Sequence, residues 1–140
     1  MKNSNDLNKV KEDLKKLNKY WVVIYGSYLS DYYIPHKSDI DIAIITQRRD
    51  KESNRSIWKN FWGEFPETYD IKIFELLSLS LKIEVIENYQ VVFGNPLEIS
   101  EYFYHYRSIW KDMVHRIESN RFKSIQEKIE LLEQRKKYLQ

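Results

Sequence analysis

Cysteine is absent from the 140 residues, which excludes disulfides and thiolate metal sites. Glycine and proline occur only three times each, so the places where the chain can turn sharply or stop a helix are few and informative. Long apolar runs are missing too. A run such as residues 42–45 falls far short of the roughly 20 residues that a membrane-spanning helix needs. The N-terminus is polar and Lys-rich, without the apolar stretch of a secretory signal, so a soluble, cytoplasmic protein is expected. A large excess of charge of one sign is also lacking, since the net charge is +2.

That small total hides a pattern. Residues 1–19 sum to +3, residues 20–100 to −4 and residues 101–140 to +3. The basic ends and acidic middle do not form the continuous basic patch of a nucleic-acid binder. An acidic centre suits metal cations. Apolar residues at 42% and charged residues at 31% describe a chain able to bury one core and solvate its surface.

Periodicity divides the chain. Leu7, Val10, Leu14 and Leu17 follow helical spacing over 5–19. Residues 20–25 are β-branched and aromatic and read as a strand, ended by Gly26-Ser27. A short helix is expected over 28–34, closed by Pro35. Residues 39–45 read as a second strand, with Asp39 and Asp41 on one face and Ile40 and Ile42 on the other. A helix over 50–62 and a strand over 69–74 follow, the strand alternating Asp70 and Lys72 against Ile71 and Ile73. Residues 78–87 fit helix or extended chain. Residues 89–93 read as a fourth strand, stopped by Gly94-Asn95-Pro96, and 97–118 as a helix. The apolar phase slips near Ser119-Asn120, which predicts a break before a last helix carrying Phe122, Ile125, Ile129 and Leu132.

The chemistry concentrates in the middle. Carboxylates two apart on a strand point the same way, roughly 6–7 Å apart along the backbone. Unpaired, Asp39 and Asp41 would repel each other and resist burial. A divalent cation removes that conflict, and Mg2+ is commonly held by one or two carboxylates together with substrate phosphates. Asp70 has the same polar-face placement. Glycine at a strand end lets backbone N–H groups approach a phosphate, and Ser27 adds a hydroxyl. The eleven residues between Ser27 and Asp39 allow a turn and a return to a neighbouring strand, which sets phosphate cradle and carboxylates side by side.

The stretch Ile24-Tyr25-Gly26-Ser27-Tyr28 with Ser38-Asp39-Ile40-Asp41-Ile42 resembles the signature of the DNA polymerase beta-like nucleotidyltransferase superfamily. Chain length and strand order resemble its minimal nucleotidyltransferase (MNT) members, and the likeness covers about residues 20–95. It implies an α+β fold, a small mixed sheet flanked by helices with a helical C-terminal tail. It implies that Asp39, Asp41 and Asp70 bind Mg2+ and carry catalysis, Asp70 by activating an acceptor hydroxyl. Gly26 and Ser27 would hold the phosphates of a nucleoside triphosphate such as ATP. Transfer of AMP to a HEPN-domain partner, as the antitoxin of a toxin–antitoxin pair, is the function this resemblance implies. Minimal members commonly carry Arg-Gly shortly after Gly-Ser. Leu29-Ser30-Asp31-Tyr32 stand here instead, with Lys37 the nearest substitute by position. The alternatives are a small-molecule nucleotidyltransferase and an inactive binding or antitoxin module.

Plainer readings stand beside these. Asp70 could be a surface carboxylate paired with Lys72. His36, His105 and His115 are too scattered for a metal site. Arg48-Arg49 fit a solvated turn, and Tyr102-Phe103-Tyr104-His105-Tyr106 fits a helix with half its rings packed inward. The stripe from Phe122 to Leu132 suits either core or a homodimer seam, but spans under three heptads. One domain over 1–140 is expected, its core at about 20–95 and 97–140 a helical extension.

Overall fold

The structure, a computed structural model, describes residues 4–30 and 38–139. They fall into two compact units, Met1–Tyr106 and Arg107–Gln140. The boundary lies inside the last helix, ten residues beyond the start expected for the extension.

The first unit is built on four strands: β1 (Trp21–Tyr25), β2 (Ile40–Ile45), β3 (Tyr69–Ile73) and β4 (Tyr89–Phe93). Their order in the sheet is β3-β2-β1-β4. β1 runs antiparallel to β2 and to β4, while β2 and β3 are parallel, so the sheet is mixed. The parallel pair requires a crossover, which α2 (Lys51–Phe61) provides.

The two faces are covered differently. Val22 and Ile24 of β1 join Ile40, Ile42 and Ile44 of β2 in a buried cluster with Val10, Leu14, Leu17 and Ile57. Val10 belongs to α1 (Ser4–Asp13), Leu14 and Leu17 to the chain just after it, and Ile57 to α2. The other face carries Trp21, Val23, Tyr25, Asp41, Ala43, Ile45, Asp70 and Lys72 by alternation. The short turn Phe74–Leu76 and α3 (Leu79–Glu87) follow β3, and α4, which begins at Pro96, follows β4; rings from the first turns of α4 meet Trp21 of this face and Phe74 of the turn. Phe103 meets Phe74 and Tyr89 at ring-centroid distances of 5.0 and 4.8 Å, and Tyr102 meets Trp21 at 5.8 Å. Tyr104 and His105, one position on, are exposed. The aromatic cluster therefore splits between core and solvent.

Caps set the helix starts. Asp50 accepts a hydrogen bond from the Ser53 N–H at 2.9 Å ahead of α2. Ser78 accepts from Leu81 at 3.4 Å ahead of α3. Asn95 Oδ1 accepts from Leu97 and Glu98 at 2.9 and 3.2 Å, and Pro96 takes the first helical position, where a missing N–H costs nothing. The cap at Ser78 resolves the ambiguous 78–87 segment as helix. The expected helix over 28–34 is a single 3-10 turn at Gly26–Leu29; residues 31–37 lie outside the described ones, and with them Pro35, His36 and Lys37.

The second unit is the distal part of α4, which runs unbroken from Pro96 to Leu139. The expected break at Ser119-Asn120 is not there. Neither residue is glycine or proline, and residues 115–137 are all exposed. No packing enforces the phase slip, so the helix propensity of the Glu-, Lys-, Gln- and Leu-rich sequence prevails. Among the described residues, no helix is long and apolar enough to cross a membrane.

Candidate active site

The chain reverses at Gly26, and the reversal fixes the site. Gly26 has φ of +77°, and a Cβ built on it would stand 2.6 Å from Asp41 Oδ2. The position thus requires glycine twice, once for a left-handed backbone and once for the carboxylate lying against it. Ser27 follows in the 3-10 turn, and its carbonyl accepts from Ser30 N–H at 3.0 Å and Ser30 Oγ at 2.7 Å. These bonds lock the turn that presents Gly26-Ser27 above the strand ends.

Register brings the acidic residues together. Asp41 lies opposite Tyr25 on β1 and opposite Asp70 on β3. Tyr25, Asp41 and Asp70 thus form a row across three strands, and the charge of Glu84 on α3 reaches Tyr25. Two carboxylates in adjacent register repel, and the structure shows the consequence. The Asp41 carboxyl is pushed above its ordinary value, first by burial, then by Asp70, with Asp39 adding to the rise and Lys72 opposing it. The Tyr25 phenol is pushed up to about 12 by burial and by the charges of Asp41, Asp70 and Glu84. It remains a protonated hydroxyl beside the carboxylates. Asp70 itself forms an ion pair with Lys72 at 3.4 Å.

Of the five residues singled out in the sequence, Gly26, Asp41 and Asp70 are gathered most closely, and Ser27 adjoins them through the turn. Asp39 stands one residue ahead of β2 and is exposed. Among the described residues, no three His, Cys, Asp or Glu side chains cluster tightly enough to hold a metal ion. The donor chemistry nonetheless fits a hard divalent cation. Asp41 and Asp70 offer only oxygen, their mutual repulsion is what a cation would relieve, and Gly26 leaves the Asp41 oxygen clear of a side chain.

Sequence reasoning missed Tyr25 and Glu84. Tyr25 carried a signal, since it directly precedes Gly26 and shares the parity of a polar-face residue, but only its pairing with Asp41 gives it a place at the site. Glu84 belongs to α3, whose approach to the strand ends no local pattern reveals. Away from the site, Arg48 and Arg49 are exposed in the turn after β2. That turn is held by Glu75, which accepts from Thr46 N–H and Gln47 N–H, both at 3.0 Å, and from Tyr102 OH at 2.7 Å.

Comparison with known proteins places the chain in a family. A family profile described as "Nucleotidyltransferase domain" matches residues 7–109, nearly all of the first unit. A Methanocaldococcus jannaschii protein named "Putative protein adenylyltransferase" is 42% identical over 112 residues, which is 80% of this chain and 86% of that protein. Among solved structures, a toxin–antitoxin complex with AMP-PNP aligns with a TM-score of 0.57 at 20% identity, over 77% of this chain and 89% of that one. The MNT antitoxin in complex with a tri-AMPylated Shewanella oneidensis HEPN toxin aligns at 0.54 and 18% identity, over 78% and 87%. At those identities the likeness is one of fold. The profile and the curated relative reach further: this chain belongs to the nucleotidyltransferase domain family and is a nucleotidyltransferase.

Proposed function

We propose that the protein transfers AMP from ATP to a hydroxyl of a protein acceptor, and that the acceptor is a HEPN-type toxin for which this chain is the antitoxin. The observation that carries the reading is the register pairing of Asp41 with Asp70 beside Gly26. The curated relative carries adenylyltransferase in its name, and the similar solved structures include an AMPylated HEPN toxin with its MNT antitoxin.

In this reading Asp39 and Asp41, with Asp70, hold Mg2+, which when bound supplies positive charge against the triphosphate. Gly26 and Ser27 face the phosphates through the turn at the end of β1. Asp70 accepts the proton of the acceptor hydroxyl. The acceptor oxygen bonds to the α-phosphorus as the bond to pyrophosphate breaks. The Tyr25 hydroxyl stays protonated beside the carboxylates and adds no negative charge to the row. Most of the rate enhancement then comes from positioning and charge complementarity.

A chain that keeps the fold without turnover is the competing reading, favoured by Leu29-Ser30 in place of a basic residue after Gly-Ser. The test is transfer of label from α-32P ATP to a co-purified HEPN-type protein, for wild type and Asp41→Asn. Label on the partner that the variant fails to transfer supports the proposal. Tight partner binding by both proteins with no label from either refutes it in favour of an inactive antitoxin. Label appearing only on hydroxylated small molecules refutes the protein acceptor.

A further inference from the structure

Two carboxylates in adjacent register need a cation nearby, and the chain supplies one. Lys72 follows Asp70 by two residues, so both side chains leave the same face of β3. Its Nζ lies 3.4 Å from Asp70 Oδ2. The same charge reaches Asp41, where it opposes the effect of burial and of Asp70. The Lys72 and Asp70 side chains are 44% and 41% exposed, so their ion pair contributes little to folding and separates readily. The ammonium engages one oxygen of a carboxylate that the reading above makes a metal ligand.

Resting on the reading above, we propose that Lys72 is a resident countercation of the Asp41–Asp70 pair, which a divalent metal must displace, so that Lys72 sets the metal affinity of the nucleotide-free site. Ammonium and metal compete for one carboxylate. A metal arriving alone must break the ion pair and leave the ammonium unpartnered beside a dication. A metal arriving with a nucleotide brings phosphate oxygens that give the ammonium a new partner. The site therefore holds metal alone weakly and takes it more tightly together with nucleotide.

The experiment is titration of nucleotide-free protein with Mn2+, followed by the electron paramagnetic resonance signal of free Mn2+. It compares wild type, Lys72→Met, Lys72→Arg and Asp41→Asn, with circular dichroism melting curves to show that each is folded. The expected result is binding about three- to tenfold tighter for Lys72→Met, from the lost repulsion between an ammonium and a dication in a largely solvated site. Lys72→Arg should match wild type, and Asp41→Asn should lose binding. Affinity in Lys72→Met that is unchanged or weaker, with binding still lost in Asp41→Asn, overturns the countercation and leaves the active-site reading standing. Absence of Mn2+ binding in Lys72→Met as in wild type overturns the countercation, and absence of Mn2+ binding in every protein with ATP added overturns the active-site reading as well.

Discussion

Replacing Gly26 by alanine separates two constraints that coincide there. The first is backbone. At φ of +77°, an alanine costs about 1–2 kcal/mol, offset by about 0.4–1 kcal/mol from a less flexible unfolded chain. The second is contact, because the new Cβ would stand 2.6 Å from Asp41 Oδ2, while the Asp41 Cγ and Cβ remain at 3.5 and 3.6 Å. Only the carboxylate oxygen must move, by rotating the Asp41 side chain off its preferred setting, at about 0.5–1.5 kcal/mol. Gly63 is the internal control. Its φ is +73°, with nothing within 4 Å of an added Cβ, so Gly63→Ala meets the backbone cost alone. Urea denaturation should show Gly63→Ala less stable by about 0.5–1 kcal/mol and Gly26→Ala by about 1–2.5 kcal/mol. In an Asp41→Ala background the oxygen is gone, and Gly26→Ala should then cost what Gly63→Ala costs. AMP transfer should fall on the order of a hundredfold in Gly26→Ala, as a displaced catalytic group would cause, and stay intact in Gly63→Ala. Equal stability losses for the two glycines, with activity retained in both, would refute the placement of Asp41 against the turn.

Other consequences can be measured directly. The Asp41 carboxyl lies above its ordinary 3.8 in the folded protein, so its charged form weakens the fold. Asp41→Asn should raise stability at pH 7 by under about 1 kcal/mol, a figure kept small because solvent screens a partly exposed group, with the gain vanishing below pH 3.8, where wild type is protonated whether folded or not. Asn54 is fully buried and its amide donates to the carbonyls of Arg48 and Asp50 at 2.9 and 3.1 Å, so Asn54→Ala should cost about 2–3 kcal/mol in denaturant titration without touching nucleotide binding. Tyr102→Phe removes a hydroxyl bonded to Glu75 at 2.7 Å and should cost about 1–2 kcal/mol, again with AMP transfer unchanged. Residues 115–137 are exposed, so a chain ending at Glu118 should match the full-length stability within about 0.5 kcal/mol while losing helical ellipticity in proportion to the residues removed.

Much of the fold was legible because its strands carry strong local signals. The alternation of Asp and Ile in β2 and of Asp, Ile and Lys in β3 states which residues share a face, and the structure keeps those faces. The caps Asp50 and Asn95 stand where composition changes. The segment 78–87 was ambiguous for a physical reason: Ile83, Val85 and Ile86 are all buried, so no single polar stripe marks its period. The distal helix misled in the opposite sense. Its apolar residues shift phase as they would across a break, but a phase shift bends a helix only when packing acts on both sides of it, and these residues are exposed.

The site was legible in kind and not in arrangement. Alternation placed Asp41 and Asp70 on polar faces, yet parity holds for each strand separately and contains no register. Only the parallel pairing of β2 with β3 sets one carboxylate beside the other, and only the reversal at Gly26 brings backbone against the Asp41 oxygen. The same limit explains Lys72. Its spacing from Asp70 suggested a surface ion pair, the less interesting of two readings for that aspartate. Once Asp70 is known to adjoin Asp41, the readings cease to exclude each other: a carboxylate shared between a lysine and a metal can be an ion pair before nucleotide arrives and a ligand afterwards. The exposure of that pair makes the exchange inexpensive, because a buried lysine would bind the carboxylate too well to yield it and a fully solvated one would exert no control.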